Sequence, residues 1–171
     1  MGPEKPERRK EMSTTGEISK LIEQLYTIDR IISAMQKRPH EYNGVTLYAN
    51  EAHTLKMIAQ NEGISQMELS ERMFRTKGAT SMVVDKLVCK GLVDRRRENS
   101  DQRRYLLTLT PLGKAVHEDH ISYDDAHARK AAQELALNED QLKALNQAMV
   151  QVIQFYAANY LDHGRPVAPR I

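Results

Sequence analysis

Two helix starts placed eleven residues apart, with a short hairpin behind them, constrain this chain more than anything else in it. Ser65 stands three residues before Glu68, the reciprocal arrangement that satisfies the free amides at a helix N-terminus. Thr76 can do the same for a second helix that runs to Lys90 and closes on Gly91. Between them lies only the turn Phe74-Arg75. In the first helix Met67, Leu69 and Met73 are expected inside. In the second, Thr80, Val83, Val84 and Leu87 share one face and should pack inward. That leaves Lys77, Gly78, Ala79, Ser81, Met82, Asp85 and Lys86 outside. Two helices joined by so short a turn form a helix-turn-helix, whose second helix can enter a DNA major groove.

The segment that follows predicts a hairpin. Leu92 to Arg96 is a short strand candidate, Glu98-Asn99-Ser100-Asp101 is turn chemistry, and Arg104 to Thr110 returns. Arg95, Arg96, Arg97, Arg103 and Arg104 then sit on or beside its tip as a basic wing. From Ile64 to Thr110 there are ten Lys/Arg against six Asp/Glu, in a chain whose net charge is only +2. The positive charge is thus concentrated on the segment that reads as a nucleic-acid contact. Thr76 can offer its backbone amide to a phosphate, and Lys77 can reach a phosphate or a guanine. Gly78 and Ala79 allow close approach, Ser81 can bond base or phosphate, and Met82 can touch a thymine methyl. Arg95, Arg97 and Arg104 join them as expected phosphate contacts.

The flanks are helical. Residues 1–16 are rich in Pro, Glu, Lys and Arg and read as a disordered tail. Glu17 to Arg38 repeats Ile, Leu and Met at helical spacing until Pro39 stops it. His40 to Tyr48 reads as a loop around Asn43-Gly44, and Asn50 as the cap of a helix over 51–61. Thr110-Pro111 opens a helix expected to reach about Glu134. Asn138 caps the last one, whose stripe is Leu142, Leu145, Met149, Val152, Ile153, Tyr156 and Tyr160; residues 164–171 read as a frayed tail. The organisation expected is a tail (1–16), a dimerisation helix with its loop (17–48), a winged helix-turn-helix DNA-binding region (49–110), C-terminal dimerisation helices (111–163) and the frayed end. The fold class is mainly α with a small β-wing.

Asp101 to Gly113 (DQRRYLLTLTPLG), preceded by Lys90-Gly91-Leu92-Val93, resembles the wing pattern of the MarR family of winged helix-turn-helix transcriptional regulators. The order of the surrounding helices is similar as well. The resemblance implies a homodimer whose terminal helices interlock, with two recognition helices on a palindromic operator and a repressor's role. It makes Arg103 the wing residue inserted into the minor groove, with Asp101 as its support. It also implies a small-molecule effector in a cleft that Tyr26, Tyr42, Tyr48 and Tyr123 could line. Zinc-sensing members place a His on the second helix and others on the fifth. Here His53 and His120 roughly match, and Asp124 stands four residues after His120. Ala52 stands where those members carry an acidic ligand. Zn²⁺ is the one metal expectation, and no cofactor is required.

Other classes find less support. There is no Gly-rich phosphate loop, G-x-S-x-G elbow or HExxH motif, so no enzyme is expected. The longest apolar run falls well short of the ~20 residues of a membrane span. The charged start lacks the apolar stretch of a secretory leader, and one cysteine, Cys89, fits a reducing cytoplasm. Cys89 reads as a packed, inert thiol, since family thiol sensors carry theirs on the first helix. The competing reading is a winged helix used for protein contacts without an operator.

Overall fold

The computed structural model describes residues 6–97, 105–162 and 165–166. It divides into two compact units, 1–39 and 40–171. The first unit is one long helix, α1 (Pro6–Met35). It begins eleven residues before Glu17, because apolar periodicity marks only the part of a helix with an apolar face. Pro6 suits a first turn, and the residues after it are good helix formers. It also stops three residues before Arg38, the chain turning ahead of Pro39. Ile18, Ile28, Ile31, Ile32 and Met35 on α1 are exposed.

The second unit opens with a hairpin where a loop was expected. β1 (His40–Tyr42) and β2 (Val45–Leu47) pair antiparallel around Asn43 and Gly44. Those two residues have φ of 45° and 75°, the left-handed pair that a tight two-residue turn requires. Next comes α2 (Ala49–Gln60), capped by Tyr48 rather than Asn50. Glu51 reaches back to accept from the Tyr48 amide at 2.9 Å. Its buried carboxylate also takes the Lys90 ammonium at 2.8 Å, and Lys90 further donates to the Thr46 carbonyl. The same Glu51 oxygen thus joins the first turn of α2 to a residue far along the chain.

β3 (Ile64–Ser65) leads into α3 (Gln66–Arg72), and both halves of the Ser65/Glu68 box form. Leu69 is fully buried and Met73 half-buried, but Met67 is 46% exposed and Ser70 is buried instead. Two turns of helix are too short for the apolar repeat to fix every position. The turn after α3 puts Phe74 at φ 51°, and α4 (Lys77–Cys89) follows, the Thr76 hydroxyl accepting from the Ala79 amide. Thr80, Val83, Val84 and Leu87 are buried as expected.

β4 (Val93–Arg97) and β5 (Tyr105–Leu109) form the wing, and β3 adds to the far side of β5 in an antiparallel sheet of order β3-β5-β4. Thr110 caps α5 (Pro111–Glu134), and its own hydroxyl donates to the Gly91 carbonyl. Asn138 caps α6 (Glu139–Tyr160), which buries none of its residues within this chain. The chain then pairs β6 (Leu161–Asp162) with β7 (Arg165–Pro166), so part of the expected frayed end is ordered as strand. One core, with Leu47, Leu55, Ile58, Leu87, Leu107 and Val116 at its centre, fixes α2, α4, α5 and the sheet together.

Candidate nucleic-acid interface

The recognition face follows from how α4 is held. Four inward residues fix its rotation, so the opposite side has to face solvent. Lys77, Gly78 and Ala79 are exposed, Met82 is 65% exposed, and Ser81 is half-buried. Among the described residues, nothing lies within 4 Å of a Cβ built on Gly78, so the backbone there is open to close approach. Thr76 ends that surface with its hydroxyl engaged in the cap.

Strand alternation splits the basic wing. Val93, Arg95 and Arg97 lie on one face of β4, opposite Leu109, Leu107 and Tyr105, while Asp94 and Arg96 lie on the other. Arg95 points back to the recognition helix, its Nη2 2.6 Å from Asp85 Oδ1. Ser81 donates to the other Asp85 oxygen at 3.4 Å. Nothing in the sequence pairs Asp85 with Arg95, and the ion pair engages a guanidinium that sequence reasoning assigns to a phosphate. Arg96 faces Asp94 at 4.0 Å, an exposed and weak pair. Arg97 is exposed, and its Nε donates to the Tyr105 hydroxyl at 3.2 Å. Asp101, Arg103 and Arg104 lie outside the described residues.

At the entrance to α4, Arg75 is half-buried and donates to the Thr54 hydroxyl at 3.0 Å. Burial draws its guanidinium below the usual arginine range. Sequence reasoning passes over it because nothing local marks an arginine that turns inward.

The histidines form a second polar cluster, between α2, α5 and the β1–β2 hairpin. His53 and His120 meet edge to face with ring centroids 5.7 Å apart, and His120 Nε2 lies 3.5 Å from Asp124 Oδ1. Tyr42 packs its ring against both His120 and Tyr123, and His40 stacks on Tyr123 at 4.4 Å. Tyr48 is exposed and outside this group, and Tyr26 belongs to the first unit. Burial, aided by Lys56, His53 and His117, pushes the His120 imidazole below its usual range against the pull of Asp124. Burial with Lys56 does the same to His117.

The expected zinc site does not fit these residues. The Lys56 ammonium sits 2.6 Å from Asp124 Oδ2, already placing a cation on the carboxylate that a metal would need. That pair and His120 hold Asp124 below the ordinary aspartate range although burial opposes them. Among the described residues no group of three His, Cys, Asp or Glu side chains is placed to hold a metal ion. Cys89, expected to be packed, is exposed.

A helix-turn-helix whose second helix is open to solvent, flanked by an antiparallel wing, defines a winged helix-turn-helix protein. Residues 47–105 match the MarR family model. Similar sequences include YhjH of Bacillus subtilis, an HTH-type transcriptional regulator. It is 31% identical over 77 residues, covering 45% of this chain and 44% of YhjH. The matches span less than half the length of the curated relatives. Among solved structures, FabT of Streptococcus pneumoniae in complex with DNA superposes with a TM-score of 0.63 at 19% identity. It covers 84% of this chain and 98% of FabT. PcaV of Streptomyces coelicolor, a transcriptional regulator in complex with its natural ligand, gives 0.57 at 21% identity, over 81% and 91%. The fold is therefore that of the MarR-type winged helix. Among the described residues no helix is long and apolar enough to cross a membrane.

Proposed function

We propose that this chain is a sequence-specific DNA-binding transcriptional regulator that acts as a homodimer on a palindromic operator, in the manner of a repressor. The observation that carries this reading is the open outer face of α4 beside Arg97, on the wing face that turns toward α4. A two-fold pair of such faces would sit about one duplex turn, ~34 Å, apart. The FabT structure holds DNA on the same fold, which supports the reading.

The dimer is supported by apolar surface. On α6, Leu145, Ile153 and Phe155 are about half exposed, and α1 carries its own exposed isoleucines. Full burial of an exposed side chain of this kind gains ~1.5–3 kcal/mol, and about half of that where half is already covered. A small effector in contact with the aromatic cluster would shift DNA affinity only by favouring one arrangement of the dimer over another. PcaV, with its natural ligand, is the precedent for an effector on this fold.

The test is selection of bound sites from random duplexes, with light scattering to give the mass of the free protein. A palindromic consensus bound by a dimer is expected. Without sequence preference, and with affinity indifferent to salt, the winged helix would instead be a protein-contact module.

A further inference from the structure

Arg95 and Arg97 flank a single ring. The Arg95 guanidinium carbon lies 5.7 Å from the Tyr105 ring centroid and that of Arg97 lies 5.6 Å from it. Both distances are within the range where a cation is drawn to an aromatic face. Tyr105 stands directly across from Arg97 in the strand pairing and diagonally across from Arg95, the neighbours a side chain on one sheet face can touch. At one end of this row Asp85 of α4 holds Arg95. At the other the Tyr105 hydroxyl accepts from Arg97 Nε.

We propose that Tyr105 is the positioning residue of the wing. Asp85, Arg95, Tyr105 and Arg97 form one row of side chains from the recognition helix outward. The row fixes where Arg97 presents its terminal nitrogens, so that wing and helix meet a duplex as one preset surface. Two arginines on one strand face would otherwise repel and swing freely. The shared ring attracts both, and Asp85 neutralises the inner one. Anchoring Arg97 through Nε leaves its two Nη groups free for a phosphate or a groove edge. Of the three described wing arginines, Arg95 and Arg96 pair with described carboxylates, and Arg97 is engaged by the Tyr105 hydroxyl. The inference rests on the DNA-binding reading above and adds to it a residue that never touches the DNA.

The test measures binding of full-length protein to a fluorescent mixed-sequence 30-bp duplex, by anisotropy, across a salt series from 50 to 200 mM. Each phosphate neutralised by the protein adds about 0.9 to the slope of log affinity against log salt, so giving one up removes about 3.5-fold of salt-dependent weakening over that range. R97Q should give up one phosphate per subunit, hence two per dimer, which lowers the slope by about 1.8 and removes about 12-fold of the weakening. Y105L should reduce the slope by the same amount, and the double variant by no more than either. Y105F, which keeps the ring but not the acceptor for Nε, should move the same way by less. It stands in if Y105L does not fold, as judged by circular dichroism. A residue that only supported the fold would lower the unfolding midpoint and leave the slope alone. Wild-type slope in both tyrosine variants, or reductions that add in the double variant, overturns the proposal. Wild-type protein that binds no duplex at all refutes the DNA-binding reading instead.

Discussion

Alanine in place of Gly113 should destabilise this protein, reversing what the same change does in an ordinary helix. Gly113 lies in the first turn of α5, against the backbone of Leu92 in the link between α4 and β4. A Cβ built there would stand 2.9 Å from the Leu92 carbonyl carbon and 3.3 Å from its Cα, and closer still to the carbonyl oxygen. Carbon atoms prefer about 3.5–4.0 Å, and the obstacle is backbone rather than a side chain that could turn away. Relief requires α5 to retreat by roughly an ångström. The Thr110 amide already reaches the Leu92 carbonyl at 3.1 Å, near the end of useful hydrogen-bond range, so that bond breaks. Overpacking costs about 1–3 kcal/mol and the broken bond about 1. A gain of about 0.4–1 from a stiffer unfolded chain offsets part of this. The net expectation is a loss of about 2–3 kcal/mol, read from urea unfolding at one protein concentration. Gly78 supplies the control, since it too lies in a first turn but has open space around it. G78A should gain up to about 1 kcal/mol by the same unfolded-state term. If G113A is neutral or stabilising, the packing argument is wrong.

Three further outcomes follow from other contacts. Lys90 is the solvent-reaching end of an ion pair whose carboxylate, on Glu51, is 3% exposed. K90M leaves a buried charge short of a partner and should cost about 2–3 kcal/mol, whereas E51Q leaves a solvated ammonium and should cost about 1; the opposite order in urea unfolding would refute this. Burial lowers His120 and His117 in the folded state, so below about pH 6.5 the unfolded chain binds more protons and stability falls as pH drops. Unfolding midpoints at pH 7.5 and 5.5 should show that loss, and H120Q should reduce it; an unchanged difference in H120Q would exclude His120 as a source. Ile153→Glu on α6 should give a monomer by light scattering and leave the helical content intact, and a persistent dimer would show that this face is not the contact.

What is legible in the chain is chemistry that acts over three or four residues. The caps at Ser65, Thr76, Thr110 and Asn138 all form where their side chains promise, since each requires only its own turn of helix. The inward face of α4 is legible for the same reason, its four apolar or small positions falling at helical spacing. The first hairpin escapes notice although Asn43-Gly44 marks it, because strands of three residues are too short to show alternation. Tyr48 rather than Asn50 is the cap, with Glu51 reaching back to its amide, and the partner that holds Glu51, Lys90, is thirty-nine residues away. The zinc expectation groups His53, His120 and Asp124 from their spacing but cannot see Lys56, which reaches Asp124 across sixty-eight residues.

The same limit governs the charge of the wing. Counting arginines treats each as a free cation and assigns several of them to phosphates. The pairing of β4 with β5 places Arg96 on the face away from Arg95 and Arg97, and it aims Arg95 at Asp85. An acidic residue on the outer side of a recognition helix would repel a duplex if left alone, so Arg95 is needed where it is. On the DNA-binding reading, its positive charge offsets that repulsion. Of the three described wing arginines, Arg96 is held only by a weak exposed pair and Arg97 by the Tyr105 hydroxyl, so on the DNA-binding reading these two can each displace counter-ions, about 0.9 apiece in the salt dependence, while Arg95 helps to set the position of Arg97. Net charge predicts that such a surface is attractive to nucleic acid; only the pairing tells how many of its charges are available to act.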